Sequence, residues 1–592
     1  MTIQPPQIDE ILLKGYDPNV TRRLISFTRP YRWQLLVALI LMLIASVASV
    51  AGPYLVKIVL DSGLGAKDIT ALRQSVILFL ILTGLQWLVT YLRVNMMARV
   101  AQSVIFDLRA RLFQHLQELS LSFYSRFSVG RVITRVINDV GVLRDFLTWT
   151  VLAVARDLFA FVGILVVMLA MDVHLSLMTF TVLPIMVLAT IAFRKRARDN
   201  YRKVRAAISW VNSVLAENIN GVRVVQAFSR QAVNYRFFHD EVNRNNINTN
   251  LNTARIAAAY PSVIDFLGTL ATALFVWLGG TAVLGSQITP GVLVAFVLYI
   301  DRFFDPIRDL SQRYDSFQST MAAGERIFAL YDTPVEVLDV PDAVEMPPIQ
   351  GEVNFDHISF HYSDDPTPVL QDICLHVQPG ETIALVGETG VGKSTIIKLL
   401  CRFHDPTEGR ILVDNYDLRQ VTQYSLRSQM GIVLQDPFLF NGTVRENIRF
   451  GRLEASDYEI EAATRAIGAH EFIRNLRQGF DTPVEEGGVL LSVGQRQLIS
   501  FARALLADPR ILVLDEATSS VDTQTERIIQ QALAHLLHGR TSFVIAHRLS
   551  TIVNAERIVV IQDGRIIEQG NHSELLALGQ AYYRLYSMGF EE

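Results

Sequence analysis

The sequence is poor in cysteine and in charge, and both shortages limit what the chain can be. Only two cysteines, Cys374 and Cys401, occur in 592 residues, so a disulfide framework is not indicated and reduced cytosolic thiols are expected. A net charge of −4 gives no indication of nucleic-acid binding. Met1–Thr28 lacks an apolar core, so a cleavable signal peptide is not expected. Charged residues amount to 19% and hydrophobic ones to 50%. The apolar excess lies before Arg326, which indicates a membrane domain followed by a soluble one.

Six apolar runs are predicted to cross a bilayer, since a spanning helix needs about 20 such residues. They are Leu35–Val56, Ser75–Leu92, Thr148–Met171, Leu175–Phe193, Ile256–Leu284 and Thr289–Pro306. The sixth run is the weakest because Asp301 and Arg302 interrupt it, and Asp265 interrupts the fifth. These three charges either line a translocation path or pair across spans five and six, or else they lie below the membrane in long helices. The sequence leaves both alternatives open.

The connections between the runs predict which side of the membrane the termini occupy. The short connections 171–174 and 285–290 contain no Lys or Arg, whereas Arg93–Asp145 and Arg194–Arg255 are rich in them. The positive-inside rule therefore places the long loops and both termini in the cytosol. The basic and aromatic segment 20–33 is interpreted as a helix in the membrane interface, and a disordered basic tail is the alternative.

Both long loops have a helical character, so the spans are expected to extend beyond the bilayer. At the far end of each long loop lies a short segment that contains aromatic and basic residues, 122–130 in the first loop and 224–231 in the second. These two segments are called the first and the second knot. Such knots suit docking onto another domain, and a packing turn between helices is the equally weighted alternative.

Gly387–Thr395 fits the phosphate-binding pattern G-x-x-x-x-G-K-[ST] between an apolar strand, Thr382–Val386, and a helix. Glycines let the backbone wrap phosphates, and the helix N-terminus adds partial positive charge. Lys393 would reach the β- and γ-phosphates, and Ser394 would ligate Mg²⁺. The predicted nucleotide contacts in this loop are Gly387, Glu388, Thr389, Gly390, Val391, Gly392, Lys393, Ser394 and Thr395.

Four aliphatic residues, Ile511–Leu514, precede two carboxylates, Asp515 and Glu516. An all-apolar run of this length is typical of a central parallel strand. At its carboxyl end Asp515 would bind Mg²⁺, and Glu516 would polarise an attacking water. The sequence therefore predicts nucleotide hydrolysis.

The predicted fold is an all-α membrane domain of six transmembrane helices fused to an α/β P-loop ATPase domain with a helical subdomain. The membrane domain is assigned to residues 1–335, a proline-rich linker to 336–350 and the ATPase domain to 351–592. The helical insertion is expected between Asn441 and Ala507.

The order of these motifs resembles that of ATP-binding cassette transporters over nearly the whole chain. After the phosphate loop come Gln435, Leu491–Gln495, Asp515 with Glu516, Ser519–Asp522 and His547. Six spans fused to one C-terminal cassette are similar to an exporter half-transporter, in particular the catalytically complete subunit of heterodimeric exporters. The resemblance implies ATP and Mg²⁺ as ligands and export of drugs, lipids or peptides by alternating access. It also implies a second half-transporter as partner and a multi-pass location in the cytoplasmic membrane.

The resemblance assigns further roles. Tyr362 is similar to the aromatic residue that stacks on adenine. Gln435 resembles the residue that touches Mg²⁺ and the lytic water, and His547 resembles the switch that contacts the γ-phosphate and steadies Glu516. The remaining implied nucleotide contacts are Ser492, Val493, Gly494, Gln495 and Asp522, of which Ser492, Val493 and Gly494 would reach the ATP held by the other protomer.

The chain departs from the family pattern near this last motif. Val493 stands where glycine is usual, and Glu485 and Gly487 stand where glycine and arginine are common. A β-branched side chain at position 493 puts nucleotide contact from this motif in doubt, which favours a heterodimer over a homodimer. Two other functions stay open, an ATP-gated channel or regulatory membrane subunit and an importer of metal chelates.

Overall fold

The computed structural model describes residues 17–147, 151–362, 365–488, 490–515, 523–546 and 549–589. The chain forms two compact units. The first comprises the chain up to Gln117 together with Ser128–Thr333, and the second comprises Glu118–Phe127 together with the chain from Pro334 onward.

The chain up to Thr333 forms long helices joined by shorter ones. They are α1 (Pro18–Thr28), α2 (Arg32–Ile58), α3 (Ile69–Glu118), α4 (Leu121–Arg126), α5 (Val129–Thr134), α6 (Val140–Asp145), α7 (Val151–Met171), α8 (Val173–Phe180), α9 (Val182–Asn220), α10 (Val222–Ala227), α11 (Gln231–Phe237), α12 (Arg244–Leu284) and α13 (Pro290–Tyr331). All of them belong to the first unit except α4, which belongs to the second.

Helix starts follow from capping side chains. Asp172 accepts a hydrogen bond from the backbone N–H of Leu175 at the start of α8. Thr289 does the same for Val292 at the start of α13, where Pro290 occupies the first helical position. Both arrangements satisfy backbone donors that a helix leaves unpaired at its N-terminus.

The described parts of the predicted spans lie in helices, although Thr289 is the residue before α13 and Leu175–Phe193 is divided between α8 and α9; residues 148–150 of the third span lie outside the described residues. Among the described residues, five helical stretches are long and apolar enough to cross a membrane, and α13 is not one of them. Its charges at Asp301 and Arg302 shorten the apolar run, as the sequence indicated. At 50 residues, α3 is about 75 Å long, so the predicted extension beyond a bilayer is confirmed.

α13 is the central helix of the first unit, because its buried aromatic face packs against α2, α7 and α12. Phe303 stacks on Phe161 and Phe180, with ring centroids 4.8 and 5.2 Å apart. Phe275 and Phe296 stack in the same core. Since lipid is as apolar as these side chains, close packing rather than the hydrophobic effect stabilises them.

The segment interpreted as an interfacial helix contains α1. Val20 is buried against Met321 and Phe328 of α13, and Arg23 forms a bidentate ion pair with Asp332, with N–O distances of 2.5 and 2.8 Å. The alternative of a disordered tail is therefore wrong for residues 18–28, while the position in the membrane interface stays a prediction.

The second unit is an α/β domain. Its strands are β1 (Val353–Phe360), β2 (Leu370–Val377), β3 (Thr382–Val386), β4 (Glu408–Val413), β5 (Tyr416–Asp417), β6 (Met430–Val433), β7 (Gly442–Thr443), β8 (Pro483–Val484), β9 (Ile511–Asp515), β10 (Thr541–Ile545), β11 (Arg557–Gln562) and β12 (Arg565–Gly570). Its further helices are α14 (Lys393–Leu400), α15 (Gln423–Arg427), α16 (Val444–Arg449), α17 (Asp457–Ala466), α18 (His470–Arg474), α19 (Val493–Leu506), α20 (Thr523–Leu537), α21 (Leu549–Val553), α22 (His572–Leu578) and α23 (Ala581–Gly589).

Two principal sheets build this unit. The six-stranded sheet has the order β12-β11-β3-β10-β9-β6, and only its edge strand β12 runs antiparallel. The four-stranded antiparallel sheet has the order β2-β1-β4-β5. Every residue of β3 and β10 is buried, as expected for strands with elements on both faces.

The sequence pattern predicts eight strands, at 351–362, 369–377, 382–386, 410–413, 431–434, 511–514, 542–545 and 558–561. All eight are present, and the predicted helical insertion contains α16 to α19. Sequence reasoning missed β5, β7, β8 and β12. The first three have two residues each, too few for a periodic pattern. The Asp563-Gly564 pair before β12 is a hairpin signal that could have revealed that strand.

The proline-rich linker is packed rather than free. Met346 and Ile349 are buried in the core of the second unit. Their backbone N–H groups donate to Ser425 Oγ and Gln429 Oε1, each at 2.8 Å. The linker therefore extends along the ATPase unit and is held there by side chains that satisfy its backbone.

Candidate functional site

In the six-stranded sheet, the loops that carry the predicted site residues follow the carboxyl ends of neighbouring strands. β3, β10, β9 and β6 are adjacent and parallel, and Leu385 is in register with Ile545, which is in register with Asp515. Since parallel strands end at a common edge, the loops after them converge there. Those loops carry the phosphate-binding segment, His547, Glu516 and Gln435 respectively.

The phosphate-binding segment needs its glycines for two different reasons. Gly387, Gly390 and Gly392 have φ of +154°, +91° and +106°, a region that other residues rarely adopt. A Cβ at Gly387 would lie 2.3 Å from the carbonyl oxygen of Ile561, whereas a Cβ at Gly390 would meet nothing within 4 Å. Gly387 therefore fits the loop against the sheet, and Gly390 leaves backbone open to a ligand.

Lys393 begins α14 and lies inside the loop. Its side chain is buried, and Nζ donates to the carbonyl oxygens of Gly387 and Glu388, both at 2.7 Å. Burial lowers the pKa of the Lys393 ammonium, and the charge of Asp515 opposes that shift. A desolvated cation at the start of a helix, beneath an open glycine backbone, fits the polyphosphate of a nucleotide.

Ser394 and Thr395, which follow Lys393 in the first turn of α14, differ in solvent exposure. Ser394 is exposed and Thr395 is buried, and Thr395 Oγ1 lies 3.2 Å from the hydroxyl of Tyr362. The Tyr362 ring is half-buried, with His404 edge-on at 5.4 Å. Tyr362 thus lies beside the phosphate loop, where its predicted stacking on adenine stays a proposal.

The predicted catalytic groups are only partly described. Asp515 ends β9, and the exposed Gln435 follows the neighbouring strand β6 by two residues. Glu516, Asp522 and His547 lie outside the described residues. The strands that precede Glu516 and His547 are described: β9 ends at Asp515 and β10 at Ile545, and both run parallel within the sheet that contains β3.

The residues predicted to reach the partner's nucleotide lie at the N-terminus of α19, where Ser492 is the N-cap residue. Ser492 Oγ accepts from the N–H of Gln495 at 3.2 Å, and the Ser492 N–H donates to Gln495 Oε1 at 3.0 Å. Val493 is half-buried and Gly494 is buried. The S-x-x-Q spacing is a capping-box signal that the sequence analysis did not use.

The first aromatic and basic knot packs within the second unit. Glu336, near the start of the linker, accepts hydrogen bonds from Ser120 Oγ at 3.0 Å, from Ser122 Oγ, and from Arg126 at 3.0 Å. Phe123 is buried and stacks on Phe127 at 4.7 Å. For this knot the structure favours docking onto the ATPase unit. Sequence reasoning missed Glu336, because no local pattern links positions 210 residues apart.

The second knot stays in the first unit, where α10 presents an apolar surface. Phe228 is 72% exposed and Val224 is 62% exposed. This exposure is what a docking element needs when its partner is absent.

The three charges predicted near the translocation path are all exposed in the single chain. Arg302 donates to the backbone carbonyl of Ser49 at 2.5 Å, so it links the sixth span to the first. Whether these charges line a path stays a prediction.

A cavity of about 640 Å³ lies between α2 and α7. Its wall is largely apolar, and its polar groups include Ser46, Tyr54 and Lys57. The Lys57 ammonium lies 5.5 Å from the centre of the Tyr54 ring. Such a cavity suits a molecule with an apolar body and a polar end.

Comparison with known proteins agrees with the fold. Residues 35–307 match the ABC transporter transmembrane region, and residues 370–519 match the ABC transporter ATPase family. An ABC transporter ATP-binding protein of Bacillus subtilis, YknV, itself uncharacterised, is 41% identical over 97% of this chain and 95% of its own length. An ATP-dependent lipid A-core flippase of Desulfotalea psychrophila is 37% identical over 96% and 99%. Another Bacillus subtilis protein, YgaD, provisionally named a multidrug export ATP-binding/permease protein, is 38% identical over 96% and 99%.

One of these relatives is named as a lipid flippase and another as a multidrug export protein, which favours export over the gated-channel and importer alternatives. Sequence similarity over nearly full length, the paired membrane and ATPase families and the nucleotide-binding loop lead to one conclusion: this chain is a membrane-embedded, ATP-binding half-transporter of the ATP-binding cassette exporter family.

Proposed function

We propose that this exporter moves amphipathic compounds, such as drugs, lipids or peptides, out of the cytosol by alternating access. The cavity between α2 and α7 carries the proposal, because it combines an apolar wall with the single ammonium of Lys57. That pairing suits a substrate with an apolar body and an acceptor or anionic end. Both termini and the ATPase unit are proposed to be cytosolic, as the basic loops predict.

The proposed roles in hydrolysis are assigned to residues that follow the carboxyl ends of the parallel strands. Lys393 and the loop from Gly387 hold the phosphates, and Glu516 orients and activates the water. Ser394, Asp515 and Gln435 would hold Mg²⁺, which neutralises charge on the phosphates when bound. The structure describes each of these residues or, for Glu516, the strand that precedes it.

Closure of a dimer is proposed to drive transport. ATP shifts an equilibrium only if it contacts the closed state better than the open one, and a nucleotide shared by two cassettes does so. Closure would act on the membrane helices through the two knots. The attachment of α4 to Glu336 supports this coupling, as does the exposed tip around Phe228.

The dimer is proposed to be a heterodimer. Ser492 already caps α19, so the nucleotide-facing positions of that turn are the backbone at Val493 and Gly494. Val493 adds an isopropyl group at a position where glycine would leave the backbone uncovered. A partner with glycine there would complete the ATP site formed by this chain's own loop.

Glu516→Gln tests the hydrolytic role. ATP should still bind while turnover falls about 10²-fold or more, measured as phosphate release and nucleotide binding by the purified transporter in lipid. Lys393→Ala is the contrasting variant, since it should weaken nucleotide binding itself. Near-normal hydrolysis by Glu516→Gln would contradict the assignment.

Lys57→Met and Lys57→Arg test the cavity. The first should weaken transport of an anionic amphiphile into inverted vesicles and spare a neutral one, while the second should retain both. Equal loss for both substrates would show that Lys57 is structural and that the cavity does not select the polar end.

The heterodimer is tested by comparing the chain alone with the chain co-expressed with a candidate partner. The chain alone should show weak ATPase activity that Val493→Gly raises. Full, substrate-stimulated activity from the unaltered chain alone, with two equivalent hydrolytic sites, would overturn the heterodimer.

A further inference from the structure

Three potential metal ligands meet on the four-stranded sheet, a different sheet from the one that carries the ATP site. His357 of β1 and Asp372 of β2 are joined by a hydrogen bond of 2.6 Å between Nδ1 and Oδ1. Cys374 Sγ lies 3.4 Å from the same Nδ1. All three side chains are exposed, and their ligand atoms lie within 4.8 Å of one another.

Two consecutive β-bulges bring these side chains together. Phe355 pairs with Leu375 and Ile358 with Ile373, so Asp356 and His357 share one opposing residue, Cys374. At the second bulge the extra residue is on the other strand, because Ser359 of β1 opposes both Gln371 and Asp372 of β2. Bulges of this kind re-aim side chains that regular pleating would send elsewhere.

The backbone at both bulges is in a costly conformation. His357 has φ of +52° and Asp372 has φ of +51°, the left-handed region that only glycine occupies without penalty. Residues held there carry backbone strain, and such strained residues concentrate at functional sites. Here the two strained residues are the two whose side chains form a hydrogen bond between β1 and β2.

We propose that His357, Asp372 and Cys374 form a binding site for Zn²⁺ on the cytosolic ATPase unit. An imidazole nitrogen, a thiolate and a carboxylate are the donor types that Zn²⁺ takes in proteins. Mg²⁺ prefers oxygen ligands alone, so this site and the nucleotide site select different metals. Three protein ligands leave a fourth tetrahedral position for water.

The distances require only side-chain adjustment. Bonds of 2.0–2.3 Å in a tetrahedron place neighbouring ligand atoms about 3.3–3.8 Å apart. The nitrogen–sulfur distance already lies in that range, while the 2.6 Å nitrogen–oxygen pair must open. The side chains of His357 and Asp372 are 71% and 67% exposed, so both can rotate about χ1 without displacing core side chains.

The same strand supplies a matched control. His376 is exposed on the same face of β2, and its Nε2 lies 2.8 Å from Glu352 Oε1. It is therefore a histidine–carboxylate pair of the same kind in regular backbone geometry, and although Cys374 is two residues away on the same face, the cluster of ligand atoms includes His357 and not His376. If exposed pairs alone bound metal, His376 would do so as well as His357.

The test uses the full chain in lipid or detergent, without a polyhistidine tag, stripped with a chelator and free of nucleotide. Titration with Co²⁺ alone, as a spectroscopic substitute for Zn²⁺, should give a thiolate-to-cobalt charge-transfer band. His357→Asn and Asp372→Asn should reduce the affinity about tenfold or more, and asparagine tolerates the left-handed backbone. Cys374→Ser should abolish the band, and His376→Gln should leave affinity and band unchanged.

A second readout follows the thiol directly. Zn²⁺ should slow alkylation of Cys374 in the unaltered chain and in His376→Gln, but not in His357→Asn. The site is refuted if Zn²⁺ leaves the alkylation rate unchanged, or if Cys374→Ser binds Co²⁺ as tightly as the unaltered chain. Either result would leave an ordinary exposed ion pair beside a cysteine.

Discussion

Arg302 of α13 donates a hydrogen bond to the carbonyl oxygen of Ser49 in α2. In a regular helix that oxygen would accept from the N–H four residues on, but residue 53 is proline and has none. Tyr299, one turn earlier on α13, donates to the next carbonyl, that of Val50, at 2.6 Å. The sixth span therefore supplies the donors at the point where the first span carries its proline.

This relationship predicts an energetic coupling between Arg302 and Pro53. Arg302→Met leaves the Ser49 carbonyl without its donor, whereas Pro53→Ala provides a helical N–H for it. The loss caused by Arg302→Met should therefore be smaller in the Pro53→Ala background, by on the order of 1 kcal/mol. A double-mutant cycle of unfolding free energies in detergent measures this term, and additivity of the two changes would contradict it.

Glu336 is predicted to couple α4 to the ATPase unit. Glu336→Ala removes the acceptor shared by Ser120, Ser122 and Arg126, so α4 loses its attachment to the linker. Substrate stimulation of ATPase activity should fall while nucleotide affinity is unchanged. Glu345→Ala, an exposed carboxylate of the same linker, serves as the control. Normal stimulation in Glu336→Ala would show that these bonds are dispensable.

The two cysteines should differ in reactivity. Cys374 is exposed and Cys401 is buried, and burial raises the pKa of the Cys401 thiol to about 12. Only the thiolate is a nucleophile, so one thiol per native chain should react with an aqueous disulfide reagent at neutral pH, and both after unfolding. Cys374→Ser should abolish the native reaction. Reaction of both thiols in the folded chain would contradict the burial of Cys401.

His404 should make the second unit sensitive to acid. Its ring is buried next to Phe360 and Tyr362, and burial, with the nearby charge of Lys398, lowers its pKa from 6.5. Below that ordinary value the unfolded chain binds the proton more readily than the folded one. The free energy of unfolding should therefore decrease as the pH falls below 6.5. His404→Phe should remove this part of the decrease, as measured by thermal unfolding at about pH 7.5 and about pH 5.5. An unchanged pH dependence would assign the effect to other groups.

Local sequence determined most of the fold. The apolar runs, the phosphate loop between strand and helix, and the strand ending in Asp515 are contiguous patterns, and contiguous patterns determine secondary structure. The motif order also determined the family. The two-residue strands and the break between α8 and α9 have no such local pattern, because strand pairing and helix packing determine them.

Only the tertiary structure decided which distant residues meet. The attachment of Arg126 to Glu336, the donor that Arg302 provides beside Pro53, and the cluster of His357, Asp372 and Cys374 all join segments whose separation in sequence carries no pattern. The cluster depends on strand register and on two bulges, and a register shift of one residue would turn its side chains to opposite faces. The sequence determined which residues are able to bind phosphate, proton or metal. Folding decided which of them share a surface, because register and helix packing are properties of pairs of elements and not of either element alone.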